Sequence, residues 1–412
     1  MSRKRPTITI ALATAIGMLH TTASSCQPIQ SETSVATVKR MGGKIVIDQA
    51  DPRQPVIAVD LSMARVSDRD LAVLSAFPEL RILDLEGGHF SDGGMKQIAA
   101  LTSLKELSLA RTAITEDGLK ALRGLVQLRK LDLTATPITA KGVAVLAGLH
   151  NLEELVLDRT GIANQLDSLG PLKGLKTLSL AELQRPIRDA KALVSLSSLE
   201  ELDLSRLETA ADLSALSELP KLRKLVLRSC DFNGNGLGKM GHLRNLQELD
   251  LTSSALRDND LQPVMACSNL RKLDLLFSSV TDKGLEQISK LQKMEKLELG
   301  CCRNISDKGM HYVGTMKSLI RLSVGATHIT DKCIVNLKGL TNLRQLDVSD
   351  TEISDAGLRQ LRQSLPEARV YYTPKIDGLK KIPVPEPNGA TEKKKNGVSR
   401  EAKRGQVRMP LS

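Results

Sequence analysis

The sequence repeats itself about every 24 residues, and this period constrains the fold more than any other feature. Thirteen copies of the pattern L-x-x-L-x-L follow one another, and the last apolar residue of each copy falls between Leu61 and Val348. Of the twelve intervals, nine are 24 residues long, two are 23 and one is 25. A fourteenth copy, at Val370 to Tyr372, lies one period further along. A chain with a fixed period of this length folds as stacked units that share one core, not as separate globular domains.

Each copy predicts a short strand, a turn and a short helix. In a regular copy Leu107 and Leu109 alternate with polar residues, which is the period of a strand with one buried face. Thr115 then offers a helix N-cap, and Leu119 and Leu122 continue at helical spacing. We therefore expect an α/β fold, an open right-handed solenoid of about fourteen coils with a parallel sheet on its concave face and helices on its convex face.

A small hydroxyl or thiol stands three residues after the last strand leucine in most copies. Side chains of this kind can hydrogen-bond to the backbone at a turn, so we interpret the series as structural and not functional. Its members are Thr112, Thr136, Thr160, Cys230, Ser254, Ser278, Cys302, Thr327 and Thr351.

The run L-x-x-L-x-L-x-x-T-x-I-T-D-x-G-L resembles bacterial leucine-rich-repeat proteins of the kind abundant in planctomycetes. The copy from Leu299 to Met310 is also similar to the cysteine-containing repeats of eukaryotic F-box proteins. The likeness covers about residues 40–373, and Met41 to Asp48 resembles the segment that caps the first repeat in the bacterial group. The resemblance implies a leucine-rich-repeat horseshoe. F-box proteins imply a ubiquitin-ligase role, which we do not carry over because no segment before the repeats resembles an F-box.

The amino terminus has the order of a secretory signal: basic Ser2 to Arg5, an apolar run of 12 residues from Ile8 to Leu19, then small residues before Cys26. Twelve residues rise only about 18 Å as a helix, which is too short to cross a bilayer core of about 30 Å. A buried first helix is the alternative interpretation, but the run shows no helical stripe. The last residues before Cys26 resemble a bacterial lipobox, although Ala23 and Ser25 depart from it. Two outcomes stay open, lipidation of Cys26 with membrane attachment or cleavage without a lipid. Both predict export to the cell envelope, the periplasm or the exterior.

The domain organisation follows from these features. We assign residues 1–25 to the signal peptide, 26–55 to a linker and cap, 56–373 to the repeat domain and 374–412 to a disordered basic tail rich in Pro and Lys. The tail carries ten Lys or Arg against four Asp or Glu, a net charge of +6, and Arg3 to Arg5 supply three more positive charges. Of the total of +11, only 11 − 3 − 6 = +2 is left for the rest of the chain, so no basic field for a specific nucleic acid is expected.

No catalytic arrangement is apparent in the sequence. His89 and His328 share a register but lie ten copies apart, and no phosphate-binding glycine loop, H-E-x-x-H or G-x-S-x-G motif occurs. Cys230 and Cys302 lie three coils apart, too far for a disulfide. We therefore predict no enzymatic activity, no cofactor and no metal site.

The candidate binding site is the solvent face of the predicted sheet. The residue between the two strand leucines points away from the core, and it is acidic in eight of fourteen copies. We expect a basic partner to bind the acidic series from Asp203 to Asp347, beside Leu276 and Phe277. The alternative is that these acids pair laterally with Lys and Arg of the preceding column and keep the sheet soluble. The candidate residues are Asp203, Asp250, Asp274, Leu276, Phe277, Glu298 and Asp347.

These observations favour a monomeric, non-enzymatic, exported scaffold for protein recognition. One alternative is a structural component of the cell envelope, held by a lipid and the basic tail. The other is a recognition subunit of a larger enzyme complex. From Gly161 to Leu222 the I-T-D-x-G-L element is missing, so we expect the helices to thin out there and the curvature to change.

Overall fold

A computed structural model describes residues 32–163, 165–185, 187, 190–206, 213–232, 237 and 243–374. The predicted signal peptide, Cys26 and the basic tail from residue 375 onward lie outside the described residues.

Within the described residues, fifteen strands form one sheet in chain order. Strand β1 is antiparallel to β2, and every later neighbour is parallel and in register, so that Leu107 pairs with Leu83 on one side and Leu131 on the other. Strands β2 to β15 correspond to the fourteen sequence copies, and the predicted α/β solenoid is confirmed. The strands are β1 (Lys44–Ile47), β2 (Val56–Asp60), β3 (Ile82–Asp84), β4 (Glu106–Ser108), β5 (Lys130–Asp132), β6 (Glu154–Val156), β7 (Thr177–Ser179), β8 (Glu201–Asp203), β9 (Lys224–Val226), β10 (Glu248–Asp250), β11 (Lys272–Asp274), β12 (Lys296–Glu298), β13 (Arg321–Ser323), β14 (Gln345–Asp347) and β15 (Arg369–Tyr371).

The helices are short and unevenly distributed along the chain. Between Val145 and Gln262 the described helical segments are all 3₁₀, which confirms that the α-helices thin out after Gly161 and shows that the change extends past Leu222. The copies from Gly161 to Leu222 lack the I-T-D-x-G-L element that caps the helix start elsewhere, so the first turn has fewer partners for its N–H groups. The α-helices are α1 (Glu32–Arg40), α2 (Met95–Ala99), α3 (Glu116–Leu119), α4 (Ala140–Val145), α5 (Gln262–Met265), α6 (Asp282–Ile288), α7 (Asp307–Val313), α8 (Ile334–Leu337) and α9 (Asp355–Ser364). The 3₁₀ segments are Asp70–Ala76, Lys120–Gly124, Leu146–Gly148, Leu166–Leu169, Lys191–Ser195, Ser214–Glu218, Asp258–Leu261 and Asp331–Cys333.

One aliphatic core runs between the sheet and the helical side. Leu107 and Leu109 of a strand and Leu119 and Leu122 of the following helical segments are all fully buried, and equivalent residues form a single cluster along the chain. A copy on its own could not bury these side chains, so the coils stabilise one another.

Acidic residues at or just before the start of the helical segments connect consecutive coils. Thr115 caps its own helix by accepting a hydrogen bond from Asp117 N at 3.3 Å, as the sequence predicts. In addition, Asp92 of the preceding coil accepts hydrogen bonds from Thr115 N at 2.8 Å and from Thr115 Oγ1 at 2.6 Å. The same bridge recurs in the pairs Glu116–Thr139, Asp258–Thr281, Asp282–Ser306, Asp307–Thr330 and Asp331–Ser354.

Each strand ends in a turn whose second residue is left-handed. Twelve non-glycine residues at this position have φ between 52° and 62°, and Arg111 is typical because its N–H still donates to Thr134 O of the next coil at 2.7 Å. The hydroxyl of Thr112 then donates to Leu109 O at 2.6 Å, whereas the thiol of Cys302 donates to Leu275 O of the preceding coil at 3.2 Å. The backbone-bonding role predicted for this series is confirmed for eight of its nine members, whereas Ser278 Oγ lies in contact with Cys302 Sγ at 3.3 Å.

Candidate functional site

The acidic column predicted from the sequence forms the floor of the solvent face of the sheet. Its members are less exposed than their direction suggests, since Asp84 is only 5% and Glu298 only 9% exposed. Strands lie about 4.8 Å apart, so each side chain is flanked by those of the coils on either side. The carboxylates of this column are therefore partly withdrawn from water.

A hollow of about 530 Å³ opens over this floor along β3 to β10. Nine acidic and three basic side chains line it, so the hollow is acidic although the whole chain carries a charge of +11. We call it the acidic hollow. Its acids are Asp84, Glu86, Asp132, Glu154, Asp158, Glu182, Glu201, Asp203 and Asp250, and its bases are Arg159, Lys224 and Arg228.

The acidic hollow includes only part of the site expected from the sequence. Asp203 and Asp250 line it. The other candidates, Asp274, Leu276, Phe277, Glu298 and Asp347, lie further along the same face.

Sequence reasoning missed three acids of the hollow that follow the strands, Glu86, Asp158 and Glu182. Asp158 accepts hydrogen bonds from Ser179 Oγ at 2.5 Å and from Ala181 N at 2.9 Å, which fixes its carboxylate over the next coil. The signal was available in the sequence as an acid one residue after the last strand leucine (Glu86, Asp158) or two residues after it (Glu182). It was overlooked because only the column within the strands was expected to face solvent.

Burial and mutual repulsion act on the floor carboxylates. Burial raises the pKa of Asp132 to about 6, repulsion from Asp158 and Glu86 adds to this, and hydrogen bonds from Thr134 oppose it. Burial also raises the pKa values of Asp158 and Asp84, and neighbouring acids add to both shifts. The folded chain thus holds these carboxylates in surroundings that disfavour their negative charge.

Cations neutralise the edges of the hollow but not its floor. Glu182 lies between Arg159 at 2.7 Å and Arg206 at 3.5 Å. In the column before the floor, Lys130 pairs with Glu154 at 3.2 Å, which is the lateral pairing that the sequence offers as an alternative. Among the ion pairs between described residues, none includes Asp158 or the floor acids Asp84, Asp132 and Asp203.

The acids beyond the hollow are more often paired. Asp250, at its end, binds Arg228 at 2.5 Å, and Glu298 binds Arg321 at 2.7 Å. Asp274 differs because burial raises its pKa, with repulsion from Asp250 adding to the shift. Lateral pairing therefore accounts for Asp250 and Glu298, but it does not account for the floor of the hollow.

The five described cysteines are mostly inaccessible. Cys230, Cys267, Cys302 and Cys333 are buried and Cys301 is half-buried, and none of these five forms a disulfide. Burial raises the pKa of Cys267 to about 11 and that of Cys333 to about 12.

In the part of the chain that the structure describes, no group of three or more His, Cys, Asp or Glu side chains is placed to hold a metal ion. The described helices include none with the length and apolar character needed to cross a membrane.

Comparison with known proteins supports the repeat architecture. A Leucine rich repeat model matches residues 78–138, and a second Leucine Rich repeat model matches residues 266–289, 290–313 and 339–361. No curated protein matches the sequence significantly.

Solved structures share the fold at low sequence identity. An internalin from Listeria monocytogenes is 20% identical, with 84% of this chain and 96% of that chain covered and a TM-score of 0.55. The TLR13–ssRNA13 complex is 21% identical with a TM-score of 0.50; the match covers 76% of this chain but only 49% of that one. Together with the in-register coils, these matches show that the chain has the leucine-rich-repeat solenoid fold and contains segments that match two leucine-rich-repeat models.

Proposed function

We propose that the chain is a non-enzymatic scaffold that recognises a protein partner through the acidic hollow, and that the partner presents lysine or arginine side chains. The observation that carries the proposal is the acidic hollow, where Asp158 and the floor acids Asp84, Asp132 and Asp203 have no cation among their described ion-pair partners. A leucine-rich-repeat fold of this kind is typically a binding scaffold.

These carboxylates are already partly removed from water in the folded chain, which favours the binding of a cation. The free energy of withdrawing Asp132 and Asp158 from water is spent when the chain folds, and this burial is the largest cause of the raised pKa of each. An incoming ammonium or guanidinium group would gain the attraction of several carboxylates without paying that cost again. The same cation would relieve the repulsion between the acids.

The dimensions of the hollow favour a polypeptide over a compact small molecule. Strands β3 to β10 span seven strand intervals, roughly 34 Å at about 4.8 Å each. An extended segment or a surface loop can place several side chains along such a length.

Binding of a synthetic oligolysine peptide to the purified chain tests the proposal, with an oligoglutamate peptide as the charge control. Replacing Asp132, Asp158 and Asp203 with Asn should weaken oligolysine binding by about tenfold or more. The matched variant, Asp274→Asn, Glu298→Gln and Asp347→Asn, removes the same charge. It should weaken binding less, because all three residues lie outside the acidic hollow.

The comparison of the two variants decides between the hollow and the stretch expected from the sequence. A larger loss in the second variant would place binding at Asp274 to Asp347 and overturn the hollow as the main site. Unchanged affinity in both variants would overturn recognition of cations by this face.

We also propose that residues 1–25 export the chain and that Cys26 attaches it to a membrane. The support is the basic, apolar and small-residue order of the amino terminus, together with the likeness of the repeats to bacterial proteins. Mass spectrometry of the mature amino terminus tests both parts. Retention of Met1 would overturn export, and an unmodified Cys26 at the new terminus would overturn lipidation alone.

A further inference from the structure

Beyond the acidic hollow, three consecutive coils place apolar and small residues side by side in the turns that follow β11, β12 and β13. These residues are Leu276 and Phe277, Gly300 and Cys301, and Gly325 and Ala326, which we call the apolar shelf. The turns are hydrogen-bonded to one another, since Phe277 N donates to Gly300 O at 3.0 Å and Cys301 N donates to Gly325 O at 2.8 Å. The shelf is therefore one continuous surface.

Because Gly300 and Gly325 have no side chain, neighbouring side chains can extend over them. A Cβ on Gly300 would lie 2.7 Å from Leu276 Cδ1, so the leucine side chain occupies the space that any larger residue would need. A Cβ on Gly325 would lie 3.6 Å from an oxygen of Asp347. The shelf is therefore bordered by the Leu276 side chain at one end and by the Asp347 carboxylate at the other.

The phenylalanine at position 277 is not explained by a contribution to folding stability. Phe277 adopts the left-handed φ of 62°, which disfavours any residue with a side chain, and glycine fills the equivalent position at Gly87. Burial of the Phe277 side chain contributes little stability, because the residue is 57% exposed. An exposed aromatic ring beside small residues is typical of a surface that binds an apolar group.

The charges around the shelf indicate what accompanies that apolar group. Asp347 borders Gly325, and exposed Asp350 follows Ala326 at the left-handed position of the next coil. On the other side, Asp274 accepts a hydrogen bond from Leu276 N at 3.1 Å, and its pKa is raised by burial. These carboxylates are complementary to a partner segment in which lysine or arginine flanks the apolar side chain.

We propose that the apolar shelf is a second contact for the same cationic partner and seats one of its aromatic or aliphatic side chains. This inference rests on the proposed function, because the partner is the protein whose basic residues enter the acidic hollow. The hollow would attract the partner by charge, and the shelf would select among cationic segments by their apolar residue.

Two synthetic peptides of equal positive charge test the shelf, one with a single phenylalanine and the other with glycine in its place. We expect the phenylalanine peptide to bind the full chain about tenfold more tightly. Phe277→Gly should abolish this preference and leave the glycine peptide unaffected. Glycine adopts a φ of 62° without strain, so this variant keeps the fold.

Met63→Gly is the matched control, because Met63 occupies the same position of the first coil with φ 60° and 68% exposure. It should keep the preference. Cys301 supplies a second readout as the one half-buried thiol among the described cysteines. Its labelling by a maleimide should slow with the phenylalanine peptide and not with the glycine peptide.

The outcomes separate the two proposals. Equal affinity of the two peptides for the unchanged chain, or a preference that survives Phe277→Gly, would overturn the shelf while the hollow variants still test charge recognition. If neither peptide binds, both proposals fail.

Discussion

The carboxylate of Asp92 occupies the space beside Gly118 in which a side chain would begin. A Cβ on Gly118 would overlap Asp92 Oδ1, and that oxygen is fixed by the hydrogen bond from Thr115 N at 2.8 Å. The relationship recurs between Asp258 and Gly284, Asp282 and Gly309, and Asp331 and Gly357. The glycine of the T-D-x-G element is therefore required by the acid of the preceding coil.

Gly118→Ala should lower the free energy of unfolding by about 2 kcal/mol, because the new methyl group must displace an acid that bridges two coils. Urea unfolding followed by circular dichroism measures the change. Gly124→Ala is the matched control, since nothing lies within 4 Å of a Cβ at that position, and it should change the stability by less than about 0.5 kcal/mol. In an Asp92→Ala background the cost of Gly118→Ala should shrink, and an undiminished cost would refute the overlap as its cause.

Features that depend on one copy of the repeat could be predicted from the sequence. The strand leucines, the N-cap at Thr115 and the backbone bond of Thr112 need only local spacing, and the structure confirms them. The overlap of Asp92 with Gly118 depends on how one coil is staggered over the next, which the period does not specify.

The acidic hollow was predicted incompletely for a related reason. The hydrogen-bond ladder of the sheet continues into the turn, because Arg159 N donates to Ala181 O at 2.9 Å. Side chains of the turn, such as Glu86 and Asp158, therefore share the solvent face with those of the strands. Strict strand alternation, which stops at the last leucine, could not place them there.

Thr160→Val should destabilise the chain by about 1–2 kcal/mol, because it removes the buried hydrogen bond from Thr160 Oγ1 to Leu157 O at 2.6 Å while nearly preserving the side-chain volume. Thr160→Ser should cost less, since it keeps the hydroxyl and other coils already use serine, as at Ser254. The midpoints of thermal unfolding compare the two variants. A valine variant as stable as the unchanged chain would show that this bond contributes nothing.

Cys301 should react with a maleimide far faster than the other described cysteines in the folded chain. It is half-buried, whereas Cys267 and Cys333 are fully buried with thiol pKa values raised to about 11 and about 12, so almost no thiolate is available there at neutral pH. Peptide mapping by mass spectrometry after brief labelling identifies the modified residue. In urea all of them should react, and rapid native labelling of Cys267 would mean that the coil around it opens readily.

Asp132→Asn should stabilise the chain at neutral pH and weaken its binding of oligolysine. Burial raises the pKa of Asp132 from its ordinary value of 3.8 to about 6 in the folded chain, so ionised Asp132 disfavours folding, and this penalty grows as the pH rises from about 4 to about 7. Asparagine avoids the penalty and can still accept the hydrogen bond from Thr134 N at 2.8 Å. We expect the free energy of unfolding to rise by about 1–2 kcal/mol at pH 7, a modest gain because partial contact with water moderates the penalty. The gain should disappear below a pH of about 4.

Urea unfolding at several pH values checks the stability of this variant, and Asp117→Asn serves as the control. Asp117 is exposed, and its hydrogen bond from Lys120 lowers its pKa, so the substitution should bring no gain at neutral pH. A pH-independent effect of Asp132→Asn would contradict the raised pKa. Stabilisation together with weaker oligolysine binding would mean that the chain retains a destabilising carboxylate at Asp132 because the partner needs it, as expected when a binding site is maintained at the expense of folding stability.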